Sequence, residues 1–109
     1  MPRHAMEQLT EAMFYVLMSL CETPRCGVRI VEEIERRTEG EVRLGPATLY
    51  TVLAKFEKEK YIKEIKVEGR SRTYAITEKG LSAYRTELAR LRACLVAAEK
   101  GDEKHGEEK

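Results

Sequence analysis

The chain has 109 residues, of which 42% are hydrophobic and 36% charged, with a net charge of +1. This length suffices for one domain with a single modest core, and the composition is that of a helix-rich globular protein. The longest apolar run is much shorter than the roughly 20 residues of a membrane span, and no export signal is visible, so we expect a cytoplasmic protein.

The distribution of charge and cysteine adds two expectations. Residues 40–79 hold nine Lys/Arg against six Asp/Glu, so the small positive excess lies in the middle third of the chain. An excess of this size is typical of a solvated face and only weakly indicates an anionic partner. Three cysteines without a CxxC pair predict reduced thiols, each used as a small buried hydrophobe.

The first predicted element is a helix over residues 9–21. It is apolar almost all round, which indicates either a central position or cover by a second chain. Thr23-Pro24 ends the helix, because the proline ring disfavours helical geometry at the residue before it.

A second helix is predicted over residues 27–39. Its apolar positions are expected to face the core: Val28, Ile30, Val31 and Ile34. The charged positions, including Glu33, are expected to face water. Gly40 is placed to end the helix in the left-handed conformation, and Val42 and Leu44 predict a short strand in the connector.

The third helix follows in "GPATLYTVLAKFEKEKYI", residues 45–62. Pro46 suits the first helical position and leaves Gly45 as the cap. One narrow stripe at helical spacing is predicted core: Leu49, Val52, Leu53 and Phe56. The opposite face carries small, polar and basic side chains: Ala47, Thr51, Ala54, Lys55 and Lys58, with Thr48 and Tyr50 on the flanks.

A β-hairpin and a last helix complete the predicted elements. Alternating residues on both sides of "EGRS" predict the hairpin. Thr77 is then the expected cap of a helix over residues 78–99, whose apolar positions recur at spacings of 3 and 4 and form a seam for another helix. We expect residues 1–8 to be a flexible arm and residues 100–109, which contain no apolar side chain, a disordered tail.

Three helices, a two-stranded ribbon and a further helix form a winged helix-turn-helix layout, a mainly α (α+β) fold whose DNA-binding domain covers residues 9–77. The third helix is then the recognition helix, because light, hydrogen-bonding side chains suit entry into a major groove about 12 Å wide. The hairpin is the wing. The predicted DNA-contacting residues are Arg43, Ala47, Thr48, Tyr50, Thr51, Lys55, Arg70 and Arg72.

The sequence resembles the PadR family of transcriptional regulators over about residues 9–98. The resemblance rests on "CGVRIVEEI", on "GPATLYTVLAKFEKEKYIKE" and on "RTYAITEKG" before the last helix. It implies a dimeric repressor of the compact branch, bound to an operator in double-stranded DNA, with the last helix in the dimer interface. Many compact members stack flat aromatic effectors on a Trp of that helix, whereas this chain has no Trp.

Two further sets of residues follow from this layout. The expected dimerisation residues are Leu9, Met13, Leu81, Tyr84, Leu88, Leu91, Leu95 and Ala98. A small hydrophobic or phenolic effector, if the protein has one, is expected between the first and last helices of different subunits, against Met6, Leu9, Met13, Leu91, Cys94 and Leu95.

Other functions are less well supported by the residues. We expect no enzyme, because there is no glycine-rich phosphate loop and no histidine on the ordered framework to act as a base. We also expect no metal site and no cofactor, since His4 and His105 lie near opposite ends of the chain. The remaining alternative is a winged-helix module that binds a protein partner and never contacts DNA.

Overall fold

The computed structural model describes the backbone of residues 8–107 and the side chains of residues 8–101. Within these residues, four helices pack with a small three-stranded antiparallel sheet, which confirms the predicted winged helix-turn-helix fold. The elements in chain order are α1 (Glu11–Leu20), β1 (Arg25–Cys26), α2 (Gly27–Arg37), α3 (Pro46–Lys58), β2 (Ile62–Glu68), β3 (Ser71–Ile76) and α4 (Glu78–Glu107). Within the described residues, no helix is both long and apolar enough to cross a membrane.

One hydrophobic core holds α1, α2, α3 and the base of the wing together. The four stripe residues of α3 are all buried, as predicted, and they pack against apolar residues of α1 and α2 and against Ile62 and Tyr74 of the sheet. Phe56 is completely buried at the centre. The core therefore leaves the opposite face of α3 directed outward.

The helix starts follow the predicted signals. Gly45 has extended geometry before Pro46 at the start of α3. The Thr77 hydroxyl accepts a hydrogen bond from the Gly80 N–H at 3.1 Å, and it lies 2.7 Å from the Lys60 carbonyl oxygen, to which it donates. Thr77 therefore caps the start of α4 and ties it to the segment between α3 and β2. At α1 the equivalent cap is Thr10, whose hydroxyl accepts from the Met13 N–H at 3.1 Å.

The sheet contains a strand that the sequence did not predict. β3 lies in the middle, paired with β2 on one side and with the two-residue β1 on the other. Arg25 is opposite Tyr74, and Cys26 is opposite Thr73. Two residues cannot show a period of 2, so the sequence carries no pattern for β1.

Several local predictions were wrong. Val42 and Leu44 form no strand. The Val42 N–H instead donates to the Thr38 hydroxyl at 3.0 Å, so this backbone group has a hydrogen-bond partner without a neighbouring strand. Cys21 and Cys94 are exposed rather than buried.

Two positions of α2 were also misassigned. Val28 is 66% exposed, because it lies in the first turn of α2 beyond the edge of the core. Glu33, which was expected to face water, is buried, because three arginines pair with its carboxylate.

The last helix is longer than predicted. The sequence predicts an end near residue 99 and a disordered tail, whereas α4 continues to Glu107. Extending an existing helix needs no new nucleus, and Glu and Lys are good helix formers, so the polar residues there remain helical. The predicted flexible arm lies almost entirely outside the described residues. At about 1.5 Å per residue, the 30 residues of α4 span about 45 Å, and every residue from Leu91 to Gly101 is exposed.

Candidate nucleic-acid interface

The outward face of α3 is sterically light. Ala47, Thr48, Thr51 and Ala54 are exposed, and Lys55 lies half-buried beside them. Two hydroxyls and no branched aliphatic side chain therefore stand on the face that the core leaves open. Short side chains let a helix backbone approach a partner closely, and hydroxyls can donate or accept there.

A cleft lies between the start of α2, the middle of α3 and the wing. We call it the wing cleft; it has a volume of about 330 Å³ and is lined by Cys26, Gly27, Val28, Tyr50, Leu53, Arg70, Ser71, Arg72 and Tyr74. Tyr50 is 65% exposed at its edge, so the phenol can contact a ligand that spans α3 and the wing. Three predicted DNA-contacting residues are thus brought together here.

The charges of the wing cleft suit an anion. Arg70 is exposed in the turn after Gly69, whose φ of +60° is the left-handed geometry that such a tight turn requires. Arg72 lies in β3, where its guanidinium is 3.1 Å from the Glu64 carboxylate on β2. No side chain caps the N-terminus of α2, so its first N–H groups add partial positive charge to the same region.

Arg43 lies apart from the wing cleft. Its side chain is exposed in the connector, 3.9 Å from the Glu35 carboxylate. It lines a second cavity of about 500 Å³ between α2 and the start of α3, which Val28 and Tyr50 also border. The predicted DNA-contacting residues therefore border two cavities, both of which lie beside the first half of α3.

The sequence did not predict that the start of α1 borders the recognition face. Thr10, Ala12 and Met13 share a cavity of about 350 Å³ with residues of α3: Ala47, Thr48, Thr51, Val52 and Lys55. The cap motif at Thr10 was readable, but its position beside α3 depends on the packing of two helices. The exposed first turn of α2 was missed for the same reason.

The predicted dimerisation residues separate into two groups. The first group is already covered within one chain: Met13 is 8% exposed in the core, and Tyr84 stacks on Phe14. Met13 therefore has little surface left for a partner or an effector. Leu9, Leu81 and Leu88 are half-buried. The second group is open: Leu91, Leu95 and Ala98 lie on the exposed part of α4.

The described members of the predicted effector set differ in how far they are exposed. Met6 lies outside the described residues. Cys94 is exposed on α4, with its Sγ 3.7 Å from the nearest guanidinium nitrogen of Arg90. Leu91 and Leu95 are 38% and 58% exposed, whereas Met13 is only 8% exposed, so one chain does not present these three side chains on a common open surface.

Two buried carboxylates anchor the elements behind this interface. Glu87 on α4 pairs with Arg90 at 2.5 Å and accepts from the Leu9 backbone N–H, which ties α4 to the segment before α1. The Arg90 hydrogen bond is the main reason that the pKa of Glu87 lies below its usual value. The Glu33 carboxylate on α2 has a lowered pKa too, chiefly through its hydrogen bonds from Arg36, with smaller contributions from Arg25 and Arg37.

An open α3 face, a basic wing and an uncapped α2 N-terminus define a winged-helix DNA-binding transcriptional regulator. Comparison with known proteins agrees. The model of the transcriptional regulator PadR-like family matches residues 16–86, and the chain belongs to that family. No curated protein matches the sequence.

Solved structures show the same fold. A transcriptional regulator from Clostridium thermocellum is 28% identical, with a TM-score of 0.73 over 81% of this chain and 89% of its own. A PadR family transcription regulator from Clostridium difficile has a TM-score of 0.72 at 17% identity, covering 84% of this chain and 97% of its own. RosR from H. salinarum has a TM-score of 0.65 at 24% identity, covering 86% and 94%.

Proposed function

We propose that two copies of this chain form a symmetric dimer that represses transcription by binding an inverted-repeat operator. The observation that carries the proposal is the open, hydroxyl-bearing face of α3 beside the wing cleft. Thr48 and Thr51 would reach base edges in the major groove, since both hydroxyl-bearing side chains are exposed on the outward side of α3. Tyr50, Arg70 and Arg72 would contact phosphates along its flank.

The exposed part of α4 supports the dimer. Leu91 is 38% exposed and Leu95 58%, and Val96 adds a further apolar side chain beside them. Apolar residues repeated along a projecting helix are covered most simply by the same helix of a second copy. A two-fold axis through the paired α4 helices would present two α3 helices to half-sites about one helical turn apart.

A small apolar or phenolic effector would act between these subunits. The exposed Leu91, Cys94 and Leu95 of one chain would form one wall, with the region around Leu9 of the second chain as the other. A ligand there shifts the DNA-binding equilibrium only if its affinity differs between the two spacings of the α3 helices. The absence of Trp removes the flat stacking surface that the resemblance leads one to expect, so regulation by protein abundance is the alternative.

Selection of bound fragments from random DNA, with sedimentation of the free protein and of the complex, tests the proposal. We expect an inverted repeat, two chains per site, and an affinity that falls steeply with salt. Repression of a reporter placed behind the selected site would then separate a repressor from an activator. Failure to enrich any sequence, with retention of protein partners instead, would establish the interaction module.

A further inference from the structure

Arg25 contacts three elements of the domain: the wing, α1 and α2. Its backbone in β1 pairs with Tyr74 of β3. Its Nε donates to the Ser19 carbonyl oxygen near the end of α1, at 2.6 Å. Its Nη2 lies 3.8 Å from Oε1 of the Glu33 carboxylate on α2. The side chain is largely buried, so one residue contacts α1, α2 and the wing together.

The position of Arg25 in the chain gives these contacts a geometric consequence. The next residue, Cys26, pairs with Thr73, and α2 begins immediately afterwards at Gly27. The wing cleft has residues 26–28 on one side, residues 70–72 on the other, and Tyr74 among its lining residues. The separation of the two sides therefore depends on how β1 is held against β3.

Backbone pairing alone holds β1 weakly. The ladder between β1 and β3 contains only two residue pairs, and even a complete two-stranded hairpin is marginally stable in water. Side-chain contacts of Arg25 add a charge-assisted hydrogen bond and a shielded ion pair, both stronger than a neutral surface contact. They fix β1 to α1 and α2, so that the position of β1 does not depend on the short ladder with β3 alone.

The other arginines at Glu33 do not make this connection. Arg36 makes the shortest contact with Glu33, with hydrogen bonds of 2.7 and 3.1 Å, and Arg37 lies 3.6 Å away. Both belong to α2, as Glu33 does, so they neutralise the carboxylate within one helix. Arg25 and Arg36 thus carry the same charge and contact the same carboxylate. Arg25 connects different elements of the fold, whereas Arg36 makes its contact within α2.

We propose that Arg25 is a positioning residue for DNA binding: it fixes the wing, with Arg70 and Arg72, at the distance from the α2 N-terminus at which both sides contact the same stretch of phosphate backbone. The inference rests on the DNA-binding function proposed above. It assigns to Arg25 an effect on wing contacts although the residue is not among those that line the cleft.

The test compares Arg25→Gln with Arg36→Gln in the full chain. Each variant removes one positive charge beside Glu33, so the net charge and the loss of a Glu33 partner are matched. Arg25→Gln also removes the contact of 3.5 Å between Arg25 and the Glu22 carboxylate, a pair of low weight because Glu22 is 69% exposed. We expect Arg25→Gln to weaken operator binding about tenfold and to lower the slope of log affinity against log salt by about 1 to 2, the number of wing phosphate contacts. Arg36→Gln should change affinity less than about twofold, since it joins no second element.

A coupling measurement separates positioning from a loss of fold stability. In wild-type protein, Arg70→Gln should lower operator affinity by the full value of one phosphate contact. In the Arg25→Gln background the same substitution should lower affinity much less, because the wing no longer lies against the DNA backbone. Hydrogen exchange at residues 25, 26, 73 and 74 should accelerate in Arg25→Gln and not in Arg36→Gln. Additive losses with an unchanged salt slope, or equal exchange in the two variants, would overturn the proposal.

Two further measurements decide the cases in which Arg25→Gln does not fold or the wild-type protein does not bind DNA. If Arg25→Gln fails to fold, Arg25→Lys retains the charge but cannot reproduce both the Ser19 and the Glu33 contacts. Arg25→Lys should lower operator affinity and the slope of log affinity against log salt by less than Arg25→Gln is expected to. Wild-type values of both quantities would refute the positioning role. If wild-type protein binds no DNA, the proposed function fails, whereas the exchange experiment still decides whether Arg25 holds β1 to β3.

Discussion

The ring of Phe14 on α1 stacks on the ring of Tyr84 on α4, with centroids 5.1 Å apart and planes inclined by 26°. This contact lies between the Thr77 cap and the Glu87–Leu9 contact, so α4 is held at three successive points along the domain. From Leu91 to Gly101, the last residue whose side chain the structure describes, every residue of the helix is exposed. The direction in which α4 leaves the domain is therefore set before the exposed apolar stripe begins.

Replacing the Tyr84 ring tests how much this stack stabilises the domain. Tyr84→Leu should lower the free energy of unfolding by about 1 to 2 kcal/mol, because the aromatic contact and part of the buried area are lost. Tyr84→Phe keeps the ring and should change stability by less than half as much. Urea unfolding at one fixed protein concentration measures both, and equal stabilities of the Leu and Phe variants would contradict this role.

Two glycines of α4 should respond in opposite directions to the same substitution. A Cβ at Gly80 would overlap the Tyr61 carbonyl oxygen and lie 2.9 Å from Cγ1 of Ile76, so Gly80→Ala should destabilise by about 3 kcal/mol or more. A Cβ at Gly101 meets nothing within 4 Å, and Gly101→Ala should stabilise the helix by about 0.5–1 kcal/mol. Thermal unfolding of the pair measures the difference, and a neutral Gly80→Ala would mean that α4 is packed less closely against Tyr61.

If α4 forms the dimer interface, charged substitutions on its exposed part should abolish dimerisation, whereas the same substitution on the wing should not. Leu91→Lys combined with Leu95→Lys should give monomers at micromolar concentration, since four lysines would meet in the proposed interface. Val67→Lys is the control, because Val67 is 54% exposed on the wing, away from α4. Sedimentation equilibrium reports the mass directly. A wild-type monomer, or a double variant that remains dimeric, would remove α4 from the interface.

Side chains on α3 and on the wing should affect DNA binding differently. Arg70→Gln should weaken binding to all sequences about equally and lower the salt slope by about 1. Thr51→Val removes the hydroxyl at nearly constant volume, and it should relax preference at particular base pairs by about 1–3 kcal/mol without changing the slope. Fluorescence anisotropy with the selected operator and single-base variants measures both. The same uniform loss from both variants would show that α3 contacts phosphates only.

The Glu33 carboxylate should make stability depend on pH. Because its pKa in the folded chain is below the usual 4.5, the unfolded chain binds the proton more readily, and stability falls as the pH decreases through the folded pKa. Glu33→Gln cannot titrate there, so it should be less stable than wild type at pH 7, with a difference that narrows toward pH 3. Urea unfolding across this range tests the sign, and a constant difference would mean that the ion pairs contribute nothing.

Much of the fold was predictable because its signals are local. Helical spacing identified the buried stripe of α3, Pro46 marked its start, and Thr77 marked the start of α4. Each signal depends on residues within about one turn of one another, which is the range over which backbone geometry and periodicity act. The order of those elements was then enough to predict the winged helix-turn-helix layout and the exposed face of α3.

Tertiary structure decided the features that depend on residues distant in sequence. Glu33 looked like one more solvated charge of α2, whereas it is buried, and Arg25 of the preceding strand joins Arg36 and Arg37 around its carboxylate. β1 exists because β3, almost fifty residues later, offers a free edge. Helical spacing likewise could not show that Met13 is covered by the core while Leu95 is exposed, since both lie in apolar seams. The sequence alone determined which residues could pair or pack, whereas the competition among distant partners for the same buried space was resolved only in the folded chain.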